Sequence, residues 1–163
     1  MRRTSRGNSL IEFTLAAIPL IFVLISTVEI CRGMWDYHSL AQAVKMAARA
    51  ASTKGAGCAG QGCAMNVDQV AHLVNAYALG MPAANLNVTL TSAAGSVTCN
   101  PLNSCYGNSA TWPPSGGNTV GQTITIAGSY AFTSAIAMYA PGAGAMKFSG
   151  VTLTASSQQA IQF

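Results

Sequence analysis

Four of the five cysteines fall in two close pairs, Cys58 and Cys63 in CAGQGC and Cys99 and Cys105 in CNPLNSC, while Cys31 stands apart. In an oxidising compartment such pairs form local disulfides. As thiolates, four cysteines could instead hold zinc, but zinc ribbons usually place two residues between paired cysteines, and these intervals are longer. Reduced thiols are the third state. Disulfides are the expectation, with no metal and no cofactor. Four cysteines allow three pairings, and spacing alone does not select one. Closure of the short Gly/Asn-rich loops favours Cys58–Cys63 and Cys99–Cys105.

Acid–base chemistry has few candidates. The 163 residues hold four carboxylates, and Glu12, Glu29 and Asp36 lie in or beside an apolar run, leaving only Asp68 clear of it. Asp36 and His38 are near each other but lack the third member that catalysis wants. They read as polar residues of a helix–membrane boundary. His72 reads as a lone packing histidine rather than a metal ligand. No phosphate loop, metal triad or nucleophile elbow is visible. The expectation is no enzyme and no small-molecule substrate.

Composition points to a membrane or an assembly. Charged residues are 7% of the chain and hydrophobic residues 50%, where a soluble domain has about 25% charged. The net charge of +4 is not arranged for nucleic acid: Arg2, Arg3 and Arg6 precede the apolar run, and one cation, Lys147, falls in the last hundred residues. With no basic stripe, nucleic acid is set aside.

The elements that must position these groups begin with Leu10 to Val28. About nineteen apolar residues span roughly 28 Å as a helix, enough to cross a hydrocarbon core. Three arginines before it against Arg32 beyond it place the N-terminus in the cytoplasm. The rest of the chain then lies where disulfides form. Ser26 to Ile30 offers no A-x-A-like cleavage site, so the helix stays attached. Pro19 lies in mid-helix, either as a tolerated kink or as a local melt that adapts the helix to packing. Beyond the span, Trp35 and Tyr37 fit an interfacial aromatic belt.

From Arg32 to Lys54 the helix continues, with a stripe of Leu40, Val44, Ala47/Ala48 and Ala51. Gly55 to Ala64 is a loop. Asn66 and Gln69 form a capping box that opens a second helix. Its apolar face is Val67, Val70/Ala71, Val74 and Tyr77/Ala78, and Gly80 and Pro82 end it. Asn85–Ser92 alternates as a strand, with Val97 to Cys99 pairing after a turn at Ala94-Gly95. Asn100 to Asn118 is a loop pinned by a disulfide. Thr119–Phe132 is a longer strand with Val120, Ile124 and Ile126. Ser134–Phe148 is a crossing loop or short helix, and Val151–Ala160 a closing strand. The fold class is α+β: a long N-terminal transmembrane and amphipathic helix, a short second helix and a small antiparallel sheet. The expected divisions are a leader 1–7, a transmembrane helix 8–31 and an outer domain 32–163.

Glu12 needs a reason. A carboxylate in the hydrocarbon costs about 2.5–3.5 kcal/mol on insertion scales unless it snorkels or is paired. Gly7, then four residues, then Glu12-Phe13, behind a basic leader and before an apolar helix, resembles a type IV pilin processing site. Glu29-Ile30-Cys31-Arg32, followed by Ala48-Arg49-Ala50-Ala51, resembles the TadE-like family of pilin-like proteins of Tad/Flp (type IVb) systems. The resemblance is most specific from Arg6 to Ser52. Tyr130 to Thr133, Pro141, and Val151 to Ala155 loosely match the family's closing pattern.

The resemblance implies cleavage by a prepilin peptidase after Gly7, exposing Asn8, whose polarity departs from the usual first residue of pilins. It implies that Glu12, fifth after the cut, pairs with a neighbouring subunit's amino terminus. The implied role is a minor pilin or pseudopilin serving pilus biogenesis, adhesion and biofilm formation. The implied partners are other pilin subunits and the Tad inner-membrane platform. The implied location is the bacterial inner membrane, with a periplasmic domain and incorporation into an extracellular pilus. The rival is an uncleaved bitopic adhesin or assembly scaffold.

Overall fold

The structure, a computed structural model, describes residues 6–58, 63, 65–134 and 149–162. The leader before Arg6 and the 135–148 part of the expected crossing segment lie outside the described residues. The elements are α1 (Arg6–Ser52), α2 (Val67–Tyr77), β1 (Leu86–Ser92), β2 (Gly95–Cys99), β3 (Thr123–Thr133) and β4 (Ser149–Ala160), with 3-10 turns at Ala83–Asn85 and Leu102–Cys105. The chain divides into two compact units, with the boundary between Met34 and Trp35.

The first unit contains the apolar stretch of α1. The helix from Leu10 onward is long and apolar enough to cross a membrane, and none of its most apolar window is buried in the protein. It runs through Pro19 without interruption. The Thr14 hydroxyl donates to Ile11 O at 2.9 Å and the Thr27 hydroxyl to Val23 O at 2.8 Å. Both polar side chains are thus satisfied within the helix, as a hydrocarbon environment demands.

The second unit is a four-stranded antiparallel sheet of order β2-β1-β3-β4. The period-two pattern decides which face is covered. Leu86, Val88 and Leu90 of β1 and Ile124 and Ile126 of β3 are buried. In α1 the stripe of Leu40, Val44, Ala47, Ala48 and Ala51 is buried with them. Each large aliphatic side chain so buried contributes about 1.5–3 kcal/mol. The close approach depends on Gly128 in β3. A Cβ there would meet Leu40 Cδ1 at 2.8 Å and Val44 Cγ1 at 3.1 Å.

Gly128→Val is therefore expected to cost about 1–3 kcal/mol by overpacking. Urea unfolding of the detergent-solubilised chain measures it, with Ala127→Val on the opposite sheet face as the comparison. A loss no greater than that of Ala127→Val would show that the notch is not needed. Combining Gly128→Val with Leu40→Ala should cost less than the sum of the two, because they share one space.

Helix α2 starts as its sequence requires. Asn66 Oδ1 accepts from Gln69 N at 2.8 Å, and Gln69 Oε1 accepts from Asn66 N at 3.2 Å. The next orphan donors of the first turn are met by the segment after the second disulfide. Val67 N donates to Ala110 O at 2.9 Å and Asp68 N to Asn108 O at 3.0 Å. The expected loop Asn100 to Asn118 is therefore a structural part of the unit, with Leu102 and Trp112 fully buried in the core.

Three other expectations need correction. The strand expected from Thr119 starts at Thr123. Gly121 sits at φ 86° in a turn, and Val120 is exposed. Tyr77 is exposed rather than on the apolar face of α2, while Ala78 is buried. Asp36 is buried at 7% exposure, inside the second unit rather than on a wet boundary.

Candidate processing and assembly site

Gly7, Asn8, Glu12 and Phe13 all lie on one helix, in the first turns of α1. Helical geometry fixes their relation. Asn8 and Glu12 are four residues apart, on nearly the same face and separated by about 6 Å of rise. Glu12 and Phe13 are both exposed. A helix that began at Asn8 would present unpaired N–H groups and a positive dipole end in its first turn, where an acid is favoured by typically 0.3–1 kcal/mol. Glu12 follows directly on that turn. At the far end of the apolar run, Glu29 Oε1 lies 3.4 Å from Arg32 Nη1, an i,i+3 ion pair. Cys31 between them is exposed with a free thiol.

The remaining cysteines are paired. Cys58 joins Cys63 with Cα atoms 5.5 Å apart, and Cys99 joins Cys105 at 5.4 Å. Those four thus offer no thiolate to zinc. Among the described residues no group of three or more His, Cys, Asp or Glu is placed to hold a metal ion. The second bridge joins the end of β2 to the 3-10 turn Leu102–Cys105.

His72 is not alone. Its Nε2 lies 3.3 Å from Asp68 Oδ1, one helical turn before it. Its ring stacks on Tyr106, centroids 4.3 Å apart and planes 7° apart. The same Asp68 Oδ1 accepts from Gly107 N at 2.7 Å. The cluster pins α2 to the disulfide-closed turn. Burial, and secondarily the Asp68 carboxylate, push the Tyr106 phenol above its usual value. The i,i+4 spacing of Asp68 and His72 was the signal for the pair. Tyr106, distant in sequence, gave none.

Ser39 is a second tie that sequence reasoning missed. Its hydroxyl is placed to donate to Tyr77 O at 3.2 Å or Leu79 O at 3.3 Å, fastening the turn after α2 to α1. Gly80, at φ 85° in that turn, would carry a Cβ 3.9 Å from Asp36 Oδ1.

These elements define an α+β protein with one long N-terminal apolar helix, a candidate membrane span, whose continuation packs against a four-stranded antiparallel sheet. Residues 7–49 match the model of the family described as TadE-like protein, and this segment is a TadE-like family domain. The match starts at Gly7, takes in the whole apolar run and ends within the buried alanine stripe. It does not reach the sheet or the closing strand. No match was found among curated proteins or among solved structures.

Proposed function

We propose that the chain is a minor pilin or pseudopilin of a Tad-type (type IVb) pilus, with a structural role in pilus biogenesis and, through the pilus, in adhesion and biofilm formation. It inserts with its N-terminus in the cytoplasm and its disulfide-bonded domain in the periplasm. A prepilin peptidase cuts after Gly7. Glu12 then pairs with the new amino terminus of a neighbouring subunit as the helix leaves lipid for the filament. The partners in this reading are other pilin subunits and the Tad inner-membrane platform.

The observation that supports it most directly is Glu12, exposed on the apolar helix four residues after Asn8, in a TadE-like segment whose match begins at Gly7. The physical reason is cost. A carboxylate in hydrocarbon is expensive alone and tolerable when paired. The pairing therefore favours one subunit register over others.

N-terminal sequencing and intact mass of membrane-extracted protein test the cut, with Asn8 expected as the first residue. A start at Met1 in cells with an active peptidase would end the processing reading and leave the bitopic adhesin or scaffold. Gly7→Leu is expected to leave nearly all the chain as precursor. Glu12→Ala is expected to be cleaved normally but to reduce incorporation into pili severely. Wild-type piliation by both variants would refute the role given to this segment.

A further inference from the structure

Among the described residues of the second unit, six large apolar side chains are exposed: Trp35, Tyr37, Tyr77, Leu79, Val120 and Val151. Four of the six fall in two short segments, at the start of the unit and at the turn after α2. Those segments are adjacent in space, because the Ser39 hydroxyl lies within hydrogen-bond distance of both Tyr77 O and Leu79 O. Trp35 lies one turn before Ser39 on the same helix face. Trp35, Tyr77 and Leu79 thus fall in one neighbourhood, whereas Tyr37, two residues from Trp35, is on another side of the helix. Clustered exposure of this kind calls for an explanation that single exposed side chains do not.

Its composition points to lipid. Trp and Tyr have an apolar body and a polar tip, the combination enriched where a bilayer meets water. No charged residue occurs between Asp68 and Lys147, and the Asp36 carboxylate near Gly80 of the turn is buried at 7% exposure rather than presented to the surface. Trp35 follows Cys31 by four residues, just past the end of the apolar run, so the patch continues that run in sequence. We propose that Tyr77 and Leu79, together with Trp35, form a rim that seats this face of the second unit on the interfacial zone of a bilayer. The turn after α2 is thus a second membrane contact, independent of the span. This rests on the membrane insertion proposed above, and the rim is withdrawn from lipid when the subunit enters a filament.

The test uses the full chain with Cys31→Ser in vesicles of phosphatidylethanolamine and phosphatidylglycerol. Single cysteines replace Leu20, Leu79 or Val120 and are labelled with an environment-sensitive fluorophore. Lipids spin-labelled near the glycerol or deep in the acyl chain act as quenchers. Val120 is the internal control. Its neighbour Gly121 bonds Ile161, and Gln162 bonds Ser52, about 20 Å along α1 from Ser39. The expected result is deep quenching at position 20, shallow quenching at 79, and several-fold weaker quenching at 120.

Quenching at 79 no greater than at 120, with 20 still quenched, overturns the rim while the span stands. A blue-shifted but unquenched label at 79 means that protein covers the turn, and also overturns it. Absence of quenching at 20 removes the span, and the rim with it.

Discussion

Replacing Trp112 by alanine is expected to lower the free energy of unfolding by about 3–5 kcal/mol, the range for large aromatic truncations in cores. That is a large part of the 5–15 kcal/mol typical of a domain. The residue stands in a Pro/Gly-rich segment, yet it is 1% exposed, and its backbone N–H donates to Met65 O at 2.7 Å. It joins the segment after the second disulfide to the approach to α2. Trp112→Phe should cost clearly less. It keeps an aromatic ring and removes an indole N–H that is buried without an acceptor among the described residues, a group whose desolvation is uncompensated. Urea unfolding followed by far-ultraviolet circular dichroism measures both variants without relying on tryptophan emission. A loss under about 1 kcal/mol for the alanine variant, no more than a typical point substitution costs, would mean that the segment is not part of the cooperative core.

The second large effect distinguishes the two disulfides. Their sequence separations are 5 and 6, so the loop entropy each removes from the unfolded chain is nearly the same, about 2 kcal/mol. Burial separates them. Cys99 and Cys105 are 1% and 4% exposed within the core, whereas Cys58 and Cys63 are half-buried. Replacing Cys99 and Cys105 together by alanine is expected to cost about 3–5 kcal/mol, the upper part of the range for native bridges. The same change at Cys58 and Cys63 should cost about 2 kcal/mol. Denaturant midpoints of the two double variants under non-reducing conditions decide it. Equal losses would show that burial of the Cys99–Cys105 bridge adds nothing to loop closure.

What could be read in the sequence was what acts locally. The Asn66/Gln69 capping box depends on residues three apart, and the structure has it. The stripe from Leu40 to Ala51 depends on helical period alone, and all five of its positions are buried. The alternation in β1 and in β3 after Gln122 depends on period two. The start of β3 was misplaced because β-branched Thr119 and Val120 resemble a strand. Gly121, which takes a positive φ in a turn, was the available signal against it. Burial of Trp112 and Asp36 and the Ser39 tie could not be read, because each depends on segments dozens of residues away. Of the candidate site, the spacing of Gly7, Asn8 and Glu12 was plain. The likeness to TadE-like proteins, for which the family match runs from Gly7 to Arg49, is what the processing role proposed above rests on.

The missing side chain at Gly128 also works as an axial stop. Leu40 and Val44 sit in its notch, while the inward neighbours along the strand, Ile126 and Tyr130, stand proud on either side. Sliding α1 by one turn, about 5.4 Å, would drive an aliphatic side chain into one of them. The part of α1 within the second unit therefore has one favoured axial setting on the sheet. That setting acts as a gauge: every copy of the unit carries its helix and sheet in the same register.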